Sequence, residues 1–87
     1  MANIKSAIKR TQVIHIRTKR NAAYKSMMKT AIRHFENALK SGDHDEARDM
    51  LRKAIRMIDK IETKGVIHKN TANRKKSRLS RAFNQVS

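Results

Sequence analysis

The chain has no cysteine, no proline and no tryptophan, and only two glycines in its 87 residues. Without cysteine there is no disulfide, no thiolate metal site and no thiol nucleophile, a composition suited to a reducing compartment. Without proline no helix is interrupted from within. The only breaks that glycine offers are Gly42 and Gly65. Aromatic residues are limited to Tyr24, Phe35 and Phe83. Binders of single-stranded nucleic acid stack bases on aromatic platforms, and three aromatics largely at core spacing leave none for that purpose. No apolar run approaches the roughly 20 residues needed to span a membrane. The N-terminus also lacks the apolar core of a secretory signal.

Acid is the most informative deficit. All seven acidic residues fall between Glu36 and Glu62. Met1 to Lys29 carries eight bases and no acid, and Thr63 to Ser87 carries seven more, so formal charge runs +8, 0 and +7 toward the total of +15. A chain needing only solubility would mix the signs. Two acid-free ends around a neutral centre imply a densely negative partner met at both ends, and a nucleic-acid backbone is the commonest of these. A chain of this length makes one small domain and buries only roughly 60–65% of its unfolded surface. Self-repulsion weakens such a core further. The centre is expected to hold best, with the basic ends ordering on the partner.

The two glycines divide the chain into three stretches, each with helical periodicity, and nothing alternates with period two. The first helix is predicted over about Ile4 to Lys40. Its stripe of Tyr24, Met27, Met28, Ala31, Ile32, Phe35, Ala38 and Leu39 repeats at helical spacing, and the whole helix spans about 55 Å. Ser41-Gly42-Asp43 makes the turn, with Gly42 in a left-handed C′ position and Asp43 and Glu46 forming an Asp version of the capping box. The second helix buries Ala47, Met50, Leu51, Ala54, Ile55, Ile58 and Ile61, and ends near Thr63 with Gly65 behind it. The third begins between Val66 and Thr71 and carries Ala72, Leu79, Ala82, Phe83 and Val86. Short loops make antiparallel neighbours, so the predicted fold is all-α: an up-down-up three-helix bundle.

The first helix is longer than its partner. Continuing its stripe backward by seven from Met27 and Tyr24 reaches Arg20 and Arg17. Two unpaired guanidinium groups cannot enter a small apolar core. The core therefore ends near Asn21, and residues 1–20 project as a basic helical arm from a bundle of residues 21–87. Its bases, Arg17, Lys19 and Arg20 among them, are expected to point all round the axis, with Ile4, Ile8, Val13, Ile14 and Ile16 scattered between them. Such a helix is expected to be surrounded by folded RNA. A transit peptide shares the basic, acid-free composition, but the apolar stripe continues unbroken past residue 35 and the C-terminal end has the same composition, so a folded segment is the expectation.

On the third helix Arg74, Arg78 and Arg81 fall at i, i+4 and i+7, opposite Leu79, with Lys75 and Lys76 at the core edge. No acid relieves their repulsion, and Arg forks match phosphate geometry. A second basic row is Lys25, Lys29, Arg33 and Lys40, where Glu36 and Lys40 also form a routine helical pair. Asp49 with Lys53 and Arg56 with Asp59 read as a solvated mixed-charge face. His15, His34, His44 and His68 lack metal-ligand spacing, and the Asp43 to Glu46 acids suit a helix N-terminus better than an ion. Met27, Met28, Met50 and Met57 read as core filler. No catalytic constellation, cofactor motif, metal site or small-molecule pocket is apparent, so an enzyme is not expected.

The segments MANIKSAIKR, RNAAYKSMMKT, SGDHDEA and KGVIHKNTANRKKSRLS resemble the bacterial small-subunit ribosomal protein twenty family (S-twenty, found also in plastids). The resemblance covers essentially the whole chain. It implies a three-helix bundle that binds 16S ribosomal RNA directly and early in assembly, at the 5′ domain and the long penultimate helix near the 3′ end. It further implies few or no protein neighbours and a place on the cytoplasmic or plastid ribosome. By motif position it implies RNA contacts from Asn3, Lys5, Ser6, Lys9, Arg10 and Asn21, and from His68, Lys69, Asn70, Arg74, Lys76, Ser77 and Arg78. Ile8 and Val13-Ile14-His15-Ile16 depart from the family's more polar pattern. Two other readings compete. A histone-like DNA-binding nucleoid protein has no minor-groove wedge or dimer signature here. A membrane-active helix lacks an apolar face over residues 3–20.

Overall fold

Forty consecutive residues without proline or glycine form helix α1 (Ala2–Ser41), followed by α2 (His44–Thr63) and α3 (Lys69–Val86). This computed structural model describes residues 2–86, with side chains from Ser6 to Val86. No strand occurs among the described residues. The architecture is all-α and up-down-up, with α1 extending N-terminally past its partners.

Each break is built by local chemistry. Gly42 has φ +80 and its N–H donates to the Leu39 carbonyl at 3.2 Å, closing α1 in the left-handed region open to glycine. Asp43 caps α2: its Oδ1 accepts the Glu46 N–H at 3.1 Å, and its carbonyl accepts the Ala47 N–H at 2.9 Å. At the far end Gly65, φ +76, donates to the Glu62 carbonyl at 2.9 Å, while Val66 donates to the Ile61 carbonyl at 3.1 Å. That pair of bonds is a Schellman motif, and its usual apolar partner, Val66, packs on the core. The start of α3, unreadable from the sequence, is set by His68. The His68 Nδ1 accepts the Asn70 N–H at 3.0 Å and its carbonyl accepts the Ala72 N–H at 3.0 Å, so an imidazole serves as the N-cap.

Helix directions follow from contacts between ends. Tyr24 of α1 lies under the Lys64 Nζ, 5.7 Å from the ring centroid, at the C-terminus of α2. His44, opening α2, stacks on Phe83 near the end of α3 with ring centroids 4.7 Å apart. The core they enclose comprises Met28, Phe35 and Ala38 of α1, Ala47, Ala54, Ile58 and Ile61 of α2, and Ala72 and Leu79 of α3. Alanine at Ala38, Ala47, Ala54 and Ala72 lets the helices approach closely, while Phe35, Ile58 and Ile61 supply the bulk. Among the described residues no polar or charged one is buried.

Burial stops where guanidinium begins. Ser6 to Arg20 is exposed throughout and Asn21 is the first partly covered residue. The projecting helix stretches the molecule to 64 × 22 × 13 Å, with a radius of gyration of 17.6 Å. A compact chain of this length has a radius near 12 Å. The accessible surface of 6819 Å² likewise exceeds the roughly 5,300 Å² of a compact monomer of this mass.

Two stripe residues and three pairs differ from the pattern. Met27 is 45% exposed and Val86 59%. Met27 lies on the flank of α1 away from α3, where no third helix covers it, and Val86 lies past the end of the buried stripe. The expected pairs Glu36–Lys40, Asp49–Lys53 and Arg56–Asp59 are absent from the described ion pairs. Asp59 instead takes the Lys76 Nζ at 2.7 Å, across α2 and α3. Both groups are partly solvated, so the bridge contributes less than about 1 kcal/mol and mainly fixes register.

Phe35 is 0% exposed, so Phe35→Ala is expected to lower unfolding free energy by about 3–5 kcal/mol in denaturant titration. Gly65→Ala meets no atom within 4 Å, so its cost is backbone strain alone, about 1 kcal/mol by the same measurement. A neutral result at Gly65 would mean the Schellman turn does not persist in solution.

Candidate nucleic-acid interface

The bases fall into two geometric groups. The first is the arm. Ser6, Lys9, Arg10, Arg17, Lys19 and Arg20 are all exposed on it. At about 100° per residue, Lys9 and Arg20 share one direction, Arg10 and Arg17 lie roughly a quarter turn to one side of it and Lys19 roughly a quarter turn to the other, so these bases cover about half of the circumference. Ile8, Val13, Ile14 and Ile16 are 55%, 43%, 56% and 66% exposed. The other half carries Ala7, Ile8, Thr11, Ile14, His15 and Thr18 and no Lys or Arg, so the expected placement of bases all round the axis is corrected to a basic half and an uncharged half. The Thr11 and Thr18 hydroxyls donate back to the carbonyls of Ala7 and Ile14 at 2.9 Å, so the outward polar groups are chiefly cationic. Asn21 sits half-buried where the arm leaves the bundle. The side chains of Asn3 and Lys5 lie outside the described residues.

The second group is a cleft between α1 and α3. Lys29 and Arg33 from one wall and Lys75 and Arg78 from the other line a space of about 400 Å³ floored by Ile32, Phe35, Leu79 and Ala82. Glu36 is the single acid on it. A smaller notch of about 150 Å³ continues it along α3, lined by Thr71, Arg74, Lys75 and Arg78. Because α1 and α3 run in the same direction with α2 between them, bases from the two acid-free ends of the sequence meet here. Lys25 is exposed one turn before Lys29 on the same flank.

Other candidates are dispersed. Lys76 faces α2 and is held by Asp59, away from the cleft. Arg81 is exposed, but its Nε donates to the Ser77 carbonyl at 3.4 Å, folding the guanidinium along its own helix. Ser77 is exposed on the outer face. Lys69 and Asn70 form the exposed first turn of α3, and the His68 ring is engaged in capping it. Arg33, a member of the second basic row, is a wall of the cleft. Its spacing of i+4 from Lys29 was the available signal. What the sequence could not supply was the identity of the facing helix.

Among the described residues no cluster of three or more His, Cys, Asp or Glu could hold a metal ion. No helix there is long and apolar enough to cross a membrane. A convergence of guanidinium and ammonium groups with one carboxylate and no buried base or nucleophile can neutralise and orient a polyanion. It offers no group positioned to transfer a proton or attack a bond.

Comparison with known proteins agrees with this arrangement. Residues 2–84 match the family model described as Ribosomal protein S20. The small ribosomal subunit protein bS20 of Pelotomaculum thermopropionicum is 63% identical over 86 residues, covering 99% of this chain and 98% of that protein. Its counterpart in Carboxydothermus hydrogenoformans is 60% identical over 86 residues, covering 99% and 92%. The counterpart in Desulforamulus reducens is 55% identical over 86 residues, covering 99% and 98%. With both the long basic α1 and the short α2–α3 pair inside the matched span, the chain belongs to the ribosomal protein S20 family.

Proposed function

We propose that this protein binds 16S ribosomal RNA directly, through two surfaces used together: the arm of residues 1–20 and the α1/α3 cleft. As a member of its family it is a structural ribosomal protein of the small subunit and not an enzyme. The observation that carries the finer reading is the convergence on one cleft of Lys29, Lys75 and Arg78, from the two acid-free ends of the chain, with Arg33 beside them. Four cations held by two rigid helices, with one acid between them, repel each other until a polyanion occupies the space. A phosphate backbone does so, and guanidinium forks from Arg33 and Arg78 can each span two phosphate oxygens.

The arm works differently. Cations over half of its circumference suit a helix laid against folded RNA, with the Arg and Lys heads on phosphates and the apolar groups between and opposite them against sugar faces. RNA of this kind is selected by shape and backbone, which agrees with the scarcity of exposed aromatics. Lys25, exposed one turn before Lys29, extends the basic wall of the cleft toward the arm. The 5′ domain and the penultimate helix are the proposed sites on the RNA, one for each surface.

Phosphate contacts set the salt dependence. With eight to ten of them, affinity for small-subunit RNA is expected to fall by about three to five decades as salt rises from ~50 to ~200 mM. Filter binding or fluorescence titration measures this, and a nearly flat dependence rules the phosphate reading out. Removing residues 1–20 is expected to leave the thermal transition of the bundle in place while weakening RNA binding by at least about tenfold. If that deletion abolishes the transition, the arm belongs to the folded core.

A further inference from the structure

The opposite flank of α1 has a different chemistry. There α1 and α2 enclose an open trough of about 600 Å³. Its floor is apolar: Met27, Ala31 and Met57. One wall, from α1, is small and uncharged, with Ser26 and Thr30, and His34 stands at one end. The other wall, from α2, is a row of three cations, Lys53, Arg56 and Lys60. None of the three is ion-paired within the described residues.

We propose that this trough docks a short amphipathic helix of a partner protein, apolar along the face it buries and acidic along the flank that meets α2. The trough lies where a fourth helix would complete the bundle, in the groove between two antiparallel helices. It runs from Ser26 to His34, about 12 Å at helical rise, which is two turns of a docked helix. Ser26, Thr30 and Ala31 let a helix backbone approach closely, and the two thioethers adapt to its apolar side chains. The sidedness of the charge selects this occupant over nucleic acid. In the α1/α3 cleft cations stand on both walls, as a phosphate backbone needs. Here they stand on one, and a phosphate over Met27 and Met57 would face methyl groups with nothing to replace its hydration. The acid flank of a helix placed against Lys53, Arg56 and Lys60 fixes both its rotation and its register. This inference is independent of which RNA sites the other flank contacts.

The test uses the full-length protein with ¹³C-methyl-labelled methionine. The probe is a synthetic amphipathic helix of about 15 residues, long enough to populate helix in water, with leucines at i, i+3, i+4 and i+7 and glutamates along one flank. A twin carries lysines in place of the glutamates. The Glu peptide is expected to shift the Met27 and Met57 methyl resonances while leaving buried Met28 in place, and to bind at least about tenfold more tightly than the Lys twin. Lys53→Glu/Lys60→Glu changes two exposed positions, so the fold persists by circular dichroism, and the preference between the peptides is expected to reverse. Met27→Glu, also exposed, provides a second variant and is expected to abolish binding of the Glu peptide. The proposal is overturned if the Glu peptide moves neither methyl, if both peptides bind alike, or if the charge reversal leaves the preference intact. It is equally overturned if a short RNA duplex, and not the Glu peptide, shifts Met27 and Met57 with loss in the double variant, since the trough is then an RNA face.

Discussion

An unpaired guanidinium or ammonium group cannot be buried in a core this small, and the shape of the molecule follows from that constraint. The apolar stripe of α1 would continue into Arg20 and Arg17 if the bundle extended that far. Desolvating either without a carboxylate would consume much of the stability that a domain of this size possesses. Burial accordingly begins at Asn21, and Ser6 to Arg20 of α1 is solvent-exposed helix. The same constraint turns Arg74, Arg78 and Arg81 outward on α3 and leaves the core free of polar groups. It also explains the position of the acids. Repulsion among bases is tolerable at the ends of the chain, where partners can relieve it. The central hairpin of α1 and α2 carries the core and mixes its signs.

A core of this kind is economical and marginal. Phe35, Ile58 and Ile61 are the large side chains fully buried among the described residues, and alanines with Met28 and Leu79 fill the rest of the contact between helices. The devices that hold it are local: an Asp cap, an imidazole cap, a Schellman turn, and single contacts tying the ends of neighbouring helices together. The His44–Phe83 stack, the Lys64–Tyr24 contact and the Lys76–Asp59 bridge each contribute around 1 kcal/mol or less. They specify which helix ends meet. A partner that binds only the folded state adds stability in proportion to the logarithm of its concentration over its dissociation constant. A chain that works inside an assembly therefore needs little stability of its own, and its uncompensated charge suits a protein rarely found alone.

The helices, both turns and the end of the buried stripe were legible in the sequence because each rests on a local rule. Apolar spacing, Gly42, Gly65 and Asp43 act within a few residues of themselves, and the limit near Asn21 follows from two arginines on an otherwise apolar stripe. What could not be read is what depends on a neighbouring helix. Met27 lies within the same stripe as Met28, yet it is 45% exposed against 4%, because α3 covers one flank of α1 and leaves the other open. Asp59 had Arg56 at helical distance but pairs with Lys76, whose position depends on the packing of α3. The His68 cap was hidden for another reason: histidine is an uncommon cap, and only the ring's orientation identifies it.

The open flank of α1 sharpens the division of labour across the molecule. Length along α1 separates an exposed arm, basic over half of its circumference, from a bundle that carries its bases beside a buried core. Rotation about α1 then separates two grooves that both contain cations. The distinguishing quantity is what lies between the cations. In the α1/α3 cleft, bases on both walls leave a polyanion as the only occupant that relieves all of them. In the α1/α2 trough a single cationic wall beside exposed Met27 and half-buried Met57 is relieved only in part by a phosphate chain, which would leave both thioethers in contact with water or charge. An apolar face with an acidic margin satisfies both requirements at once. Net charge alone, at +15, would assign every face of this protein to RNA, and it is the placement of methionine against lysine that separates one face from the rest.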